Sequence, residues 1–148
     1  MIILSKFVER LKELMILNNY TIKTLAETTG IHQSTIGSLL REEHHPSTKA
    51  LLAFAQLFNC PCDYLLGLID DYPEPIKFSP PTSDFGARLR LLLRENNVSQ
   101  YSLTKKEKIS GNLLYQWLNN QAIPSVYNLE KLASALQISV DCLLGREN

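Results

Sequence analysis

The chain has 148 residues, of which 45% are hydrophobic and 20% are charged, a composition typical of a soluble globular protein. Its 15 basic and 15 acidic residues cancel, which is unusual for a nucleic-acid-binding protein, because much of that affinity comes from neutralising phosphates. The apolar runs are too short to span a bilayer, and the first residues lack a secretory pattern. We therefore expect a cytoplasmic protein without a membrane segment.

The chain begins with a pattern that predicts two helices. Apolar side chains recur at helical spacing from Phe7 to Met15, and the run stops at Asn18. Thr21 is a suitable N-cap for a second helix. Gly30 suits the left-handed turn that closes this helix, because glycine adopts a positive φ without steric cost.

Three more helices follow before a break in the pattern. A third helix is expected from about His32 to Leu40, Ser47 caps a fourth, and a short fifth ends at Gly67. Residues 70–83 then contain four prolines, which prevent a helix and favour an extended, semi-rigid path. We predict that this segment is a linker.

The second half of the chain repeats the first. A shift of 78 positions aligns residues 7–67 with residues 85–145 without a gap, and many residues in the two halves are identical. Serines recur at the expected helix starts of the second copy, namely Ser99, Ser110, Ser125 and Ser139. No stretch alternates with period two, so no strand is expected. The prediction is an N-terminal domain over residues 1–69, the linker, and a C-terminal domain over residues 84–148.

The cysteines do not form a recognisable metal or disulfide pattern. Cys60 and Cys62 are separated by one residue, whereas zinc sites usually space their cysteines by two to four, and Cys142 leaves an odd count. His44 and His45 supply no second ligand pair. We expect reduced thiols, no metal and no cofactor.

Both copies resemble the Cro/lambda-repressor-like helix-turn-helix family, also called the XRE type. The resemblance covers nearly the whole chain outside the linker. Its motifs are Thr21-x3-Leu25-Ala26-x3-Gly30-Ile31-x4-Ile36 and Asp63-Tyr64-Leu65-Leu66-Gly67 in the first copy, and Ser99-Gln100-x2-Leu103 and Asp141-x-Leu143-Leu144-Gly145 in the second. The resemblance implies an all-α fold in which two tandem five-helix domains are joined by the Pro-rich linker.

The resemblance also implies a double-stranded DNA site on the third helix of each copy, with its outer face in the major groove. Amide and hydroxyl side chains there can bond to base edges. The expected base-reading residues are Gln33, Ser34, Ser38, Asn112 and Gln116. The expected DNA-backbone contacts are Thr21, Arg41, Ser47, Ser99, Gln100, Asn119 and Ser125. The alternative is that these polar side chains form an ordinary solvated helix face without a role in DNA binding. Trp117, on the opposite side of the same helix, is expected in the core.

Each copy departs from the family pattern in a different place. The first copy follows its third helix with Glu42 and Glu43, which would repel phosphates. The second replaces Gly30 by Lys108, which puts the geometry of its turn in question. Two arrangements stay open: both copies bind DNA as a covalent pseudo-dimer, or one binds DNA while the other, more readily the N-terminal copy, serves dimerisation or a partner protein.

The function expected from the resemblance is sequence-specific transcription regulation, usually repression, in a bacterium, phage or mobile element. No catalytic constellation and no Gly-rich phosphate loop is recognisable, so enzymatic activity is not expected. A homodimer on an operator is compatible with this function. The rival hypothesis is a protein-interaction module, such as an antitoxin or an adaptor, that kept the fold without binding DNA.

Overall fold

The computed structural model describes residues 3–74 and 76–147. The chain divides into two compact units, Met1–Ile76 and Lys77–Asn148, here called unit 1 and unit 2. The described residues form ten helices and no strand, so the predicted all-α class is confirmed. None of the described helices is long and apolar enough to cross a membrane.

The helices of each unit follow the same order. Unit 1 contains α1 (Leu4–Leu17), α2 (Ile22–Thr29), α3 (Gln33–Leu40), α4 (Thr48–Phe58) and α5 (Cys62–Leu65). Unit 2 contains α6 (Phe85–Glu95), α7 (Gln100–Lys105), α8 (Gly111–Leu118), α9 (Val126–Leu136) and α10 (Val140–Leu143). Two helices of unit 2 are shorter than the helices they match: α6 has 11 residues and α1 has 14, and α7 has 6 residues and α2 has 8.

The helix starts are fixed by the predicted caps. The Thr21 hydroxyl accepts from the Thr24 backbone N–H, and the Thr24 hydroxyl accepts from Thr21 N in return. Such a reciprocal pair satisfies two backbone donors that a helix leaves open. Side-chain oxygens of further predicted residues accept from backbone N–H groups in the same way, at Ser47, Ser99, Ser110, Ser125 and Ser139. These cap predictions are confirmed.

Each unit has its own apolar core. In unit 1, Phe7 and Phe54 are fully buried and their ring centroids lie 6.3 Å apart. In unit 2, Trp117 is 2% exposed, as its predicted position in the core required. Cys60 and Cys62 are buried within unit 1. The described residues contain no group of His, Cys, Asp or Glu side chains placed to hold a metal ion.

An arginine on the first helix of each unit holds the end of that unit. Arg88 donates from Nη2 to the carbonyls of Cys142, at 2.6 Å, and Glu147, at 3.2 Å. Arg10 donates to the carbonyls of Tyr64 and Ile69, which are the matching positions. The duplication seen in the sequence therefore extends to individual hydrogen bonds.

The predicted linker packs against the unit that each of its halves adjoins. In unit 1, the ring of Tyr72 meets Tyr64 edge-on with centroids 5.1 Å apart. In unit 2, the Thr82 N–H donates to Leu144 O at 2.8 Å, and the Arg146 guanidinium lies 4.1 Å from the centroid of the Phe78 ring. Contacts of this kind order the chain on both sides of Pro75, which lies outside the described residues. The exact domain boundaries stay a prediction.

Candidate nucleic-acid interface

The helix-turn-helix of unit 1 is formed by α2 and α3. Gly30 closes α2 with a φ of 76°, and its N–H donates to Ala26 O at 2.8 Å. The His32 ring nitrogen Nδ1 then accepts from Ser34 N and caps α3. This turn has the predicted form, and it leaves one face of α3 exposed.

Unit 2 keeps the left-handed turn although it lacks the glycine. Lys108, at the position of Gly30, has a φ of 58°. A lysine in this region costs about 1 kcal/mol or more, because its Cβ crowds the following carbonyl. Ile109 is 3% exposed and its N–H donates to Leu103 O at 3.1 Å, so the residue after the turn is anchored in the core. Unit 2 therefore keeps the left-handed turn that the sequence left in question. The helix before this turn, α7, ends earlier than the matching α2.

The exposed face of α8 carries the predicted amides. Asn112 and Asn119 are exposed and Gln116 is half-buried, while Leu114 and Trp117 pack inward. Asn119 is the C-cap of α8, and its Nδ2 donates to Tyr115 O at 2.8 Å. The amide groups of Asn112 and Gln116 therefore lie on the surface that this helix presents to solvent.

On the exposed face of α3, two of the three predicted base-reading side chains form hydrogen bonds with neighbouring residues. Gln33 and Ser34 are exposed, but the Ser34 hydroxyl lies 2.8 Å from His32 Nδ1. Ser38 donates to Thr35 O at 3.0 Å, and its Oγ lies 2.7 Å from His44 Nε2. Both predicted serines thus have hydrogen-bond partners within unit 1, and Gln33 is the predicted base reader of α3 without such a bond among those described.

The loop after α3 neutralises its own basic residue. Arg41 Nε lies 2.8 Å from Glu43 Oε1, and both side chains are exposed. The hydrogen bond from Arg41 holds the pKa of Glu43 below its ordinary value, and the same bond raises the pKa of Arg41. Two of its guanidinium nitrogens, Nε and Nη2, thus donate to a carboxylate with which a phosphate would have to compete. The predicted backbone contact of Arg41 is therefore weakened by its surroundings.

The predicted hydroxyl contacts to the DNA backbone all act as helix caps. The oxygens of Thr21, Ser47, Ser99 and Ser125 each accept from a backbone N–H of their own helix. Gln100 is different, because it is the first residue of α7 and its side chain is exposed.

Gln100 lines an open cavity of about 410 Å³ together with Ser99, Leu93, Val98 and two arginines, Arg90 and Arg94. These arginines were not among the DNA-contacting residues predicted from the sequence. Their spacing of four residues on α6 could have indicated them, because residues at i and i+4 share a helix face. Arg90 also donates to Leu118 O, in the last turn of α8, at 3.4 Å. Cationic and amide donors thus line one cavity beside the exposed helix, an arrangement suited to phosphate oxygens.

The same positions in unit 1 are apolar or less basic. Arg94 corresponds to Ile16 and Gln100 to Ile22, and these isoleucines are 76% and 37% exposed. Arg90 corresponds to Lys12. The two units therefore combine similar helix-turn-helix geometry with different surfaces, and this geometry is the architecture of a class of DNA-binding domains.

Comparison with known proteins agrees with this class for both units. A family model described as helix-turn-helix matches residues 11–65, and one described as a Cro/C1-type helix-turn-helix DNA-binding domain matches residues 88–148. The chain therefore carries two Cro/C1-type helix-turn-helix domains in tandem.

One relative among the curated proteins is named an uncharacterized HTH-type transcriptional regulator, YobD, from Bacillus subtilis strain 168. It is 36% identical to this chain over 69 residues, which are 47% of this chain and 61% of that protein. The chain thus spans about three fifths of the length of that relative. No solved structure gave a significant match.

Proposed function

We propose that the chain is a sequence-specific DNA-binding regulator of transcription, acting as a repressor, and that unit 2 makes the principal DNA contact. The observation that carries this proposal is the cavity lined by Arg90, Arg94 and Gln100, where Arg90 also donates to the last residue of α8, the helix that carries the predicted amides. Within the described residues, neither of these arginines forms an ion pair with a carboxylate. Their charge is available to phosphates, which supply much of the affinity of DNA-binding proteins.

In this proposal α8 lies in the major groove. Asn112 and Gln116 read base edges, whereas Gln100 and Asn119 contact the DNA backbone, with the backbone N–H groups near Ser99 and Ser125 adding to it. Arg90 and Arg94 join this backbone set. Arg90 also bonds to the end of α8, so a phosphate held by its guanidinium would help to fix the register of the reading helix.

Unit 1 contributes less in this proposal. Its base-reading set would be Gln33, Ser34 and Ser38, with Thr21, Arg41 and Ser47 on the backbone. Both serines and Arg41 already have hydrogen-bond partners. Glu42 and Glu43 add negative charge next to α3, and like charges near phosphates weaken binding. We therefore assign primary recognition to unit 2.

Selection of the full chain on random duplex DNA, followed by binding at several salt concentrations, tests this proposal. We expect an enriched motif whose affinity falls steeply with salt. Arg94→Ala should reduce the steepness of the log–log salt dependence by about one. Lys12→Ala is the matched control and should leave the slope nearly unchanged, because Lys12 holds the position of Arg90 in unit 1, which contributes less in this proposal. Absence of any enriched motif, with weak binding that vanishes at physiological salt, would overturn the proposal.

A second candidate function, dimerisation or partner binding through unit 1, is favoured by one observation. Ile16 and Leu17, at the end of α1, are 76% and 77% exposed. Large aliphatic side chains exposed side by side are a common feature of association surfaces. Light scattering of the full chain and of an Ile16→Ser, Leu17→Ser variant tests it. The expected result is a dimer that the double substitution dissociates, and a wild-type monomer at all accessible concentrations would refute it.

A further inference from the structure

The exposed face of α8 lacks any charged side chain. Its sequence, from Gly111 to Leu118, contains no Arg, Lys, Asp or Glu. Guanine is read most often by Arg or Lys at its O6 and N7, and cytosine by an acidic side chain at N4. Asn and Gln, in contrast, bond bidentately to adenine N6 and N7. The base contacts that α8 can offer are therefore suited to A·T pairs.

Two apolar side chains flank these amides. With about 100° per residue, Asn112 and Gln116 fall on one stripe, Leu113 on one side of it and Tyr115 on the other. Leu113 is 37% exposed and Tyr115 is 58% exposed. The buried side of α8 is formed by Leu114, Trp117 and Leu118, and Leu113 lies at its edge with about a third of its surface exposed.

The matching residues of unit 1 show that this is a difference in surface and not a requirement of the fold. Leu113 corresponds to Thr35 and Tyr115 to Gly37, on a helix of the same length at the same place in unit 1. In the major groove, the apolar group that a base pair presents is the C5 methyl of thymine. An exposed leucine beside an adenine-reading amide has this methyl as its natural contact.

We propose that unit 2 selects an A·T-rich half-site, in which Gln116 and Asn112 read adenines and Leu113 contacts the methyl group of a thymine. This inference rests on the proposed function, because it requires α8 to lie in the major groove. It names the base class that the helix recognises and adds Leu113 to the residues that determine specificity.

The experiment uses the full chain and the duplex obtained by selection. Each thymine of the half-site is replaced in turn by deoxyuridine, which removes the C5 methyl and keeps the base-pairing edge. Affinity is measured for the wild type, for Leu113→Ala and for Leu91→Ala. The last variant is the matched control, because Leu91 is a leucine of 38% exposure on α6, outside the reading helix.

We expect one deoxyuridine position to weaken wild-type binding by about fourfold, the effect of one buried methyl group. Leu113→Ala should bind the unmodified duplex about as weakly as the wild type binds the deoxyuridine duplex. Its affinity should not change when that thymine is replaced by deoxyuridine. Leu91→Ala should keep the full sensitivity. Replacing an A·T pair opposite Gln116 by G·C should weaken wild-type binding roughly 5- to 150-fold.

A selected motif dominated by G·C pairs, with binding that still depends on Gln116, would overturn this inference and leave the proposed function intact. Deoxyuridine effects that are absent in the wild type, or equal in the wild type and Leu113→Ala, would overturn the methyl contact. If no motif is selected, or Gln116→Ala binds as the wild type does, the proposed function itself fails and the inference with it.

Discussion

Units 1 and 2 share their order of helices, the hydroxyl caps of their second and fourth helices and the arginine that holds their last turn, but their surfaces differ. Unit 2 has Arg94 and Gln100 where unit 1 has Ile16 and Ile22, and it lacks the acidic pair that follows α3. The contacts that fix the fold are thus retained in both copies, whereas the residues available to a ligand have changed. This difference indicates that the two copies have different roles.

The cores of the two units differ at several matched positions, and two of them involve a buried charge and a glycine in unit 2. Unit 2 buries an ion pair, Asp141 with Arg146, at 2.6 Å, with each side chain 1% exposed. Unit 1 has Asp63 and Leu68 there. Unit 2 also has Gly86 where unit 1 has the buried Val8. Because the single tryptophan of the chain, Trp117, lies in the core of unit 2, its fluorescence reports the unfolding of that unit alone.

The largest expected effect is at the buried ion pair. Arg146→Met leaves the Asp141 carboxylate buried without its guanidinium partner, which should destabilise unit 2 by about 3–5 kcal/mol. Urea unfolding followed by Trp117 fluorescence measures this change. Leu68→Met is the matched control in unit 1 and should not move the Trp117 transition. A loss below about 1 kcal/mol in the Arg146 variant would contradict the assigned role of the pair.

The next effect concerns the close approach of α6 and α8. A Cβ on Gly86 would lie 2.3 Å from Leu118 O and 2.9 Å from Leu118 C, both backbone atoms. Gly86→Ala should therefore destabilise unit 2 by about 3 kcal/mol, since the helices must separate. The Gly86 N–H also donates to Asn120 Oδ1 at 2.9 Å, a bond that the separation would strain.

The same urea titration tests Gly86→Ala, with Val8→Ala as its control. The control creates a cavity in unit 1 and should leave the Trp117 transition in place. An alanine tolerated at position 86 without loss of stability would show that α6 and α8 can separate at little cost.

Much of this architecture could be predicted from local sequence. Thr21, Ser47 and Gly30 were identified from their chemistry, and Trp117 was placed in the core by its helical position. Lys108 could not be predicted to adopt a positive φ, because that conformation is imposed by the anchored Ile109 and not by the lysine. Contacts between distant segments, such as the bond from Arg88 on α6 to the carbonyl of Cys142 on α10, leave no local pattern.

The candidate site was less predictable than the fold. The serine hydroxyls at positions 34 and 38 were selected as base readers, but nearby histidines engage both. Arg90 and Arg94 were missed because the cavity they line is formed only when α6 packs beside the start of α7. The type of an exposed residue indicates what it can bind. Whether its polar atoms are available depends on the hydrogen bonds that they form in the folded chain.

The smallest expected effect is a pH dependence of unit 2. Asp84 caps α6, and the hydrogen bonds from Ala87 N and from Asn120 Nδ2 lower the pKa of its carboxyl. Its stabilising contribution is therefore present above the ordinary aspartate pKa of about 3.9 and is lost as the pH falls through the lower folded pKa. The Trp117 transition should weaken in this acidic range.

Asp84→Asn should flatten that part of the pH profile, since asparagine can cap the helix without titrating. Asp71→Asn, which lies in unit 1, serves as the control and should leave the profile unchanged. An identical acid dependence in the Asp84 variant and the wild type would exclude this carboxylate as the cause.

The proposed recognition of DNA by unit 2 is tested by measuring how Gln116→Ala and Gln33→Ala change the affinity for the selected duplex. These glutamines lie on matched helices, where Gln33 is exposed and Gln116 is half-buried, and neither belongs to the apolar core of its unit. We expect Gln116→Ala to weaken binding roughly 5- to 150-fold, whereas Gln33→Ala should change it less than twofold. A large loss for Gln33→Ala with no loss for Gln116→Ala would contradict the account and assign recognition to unit 1.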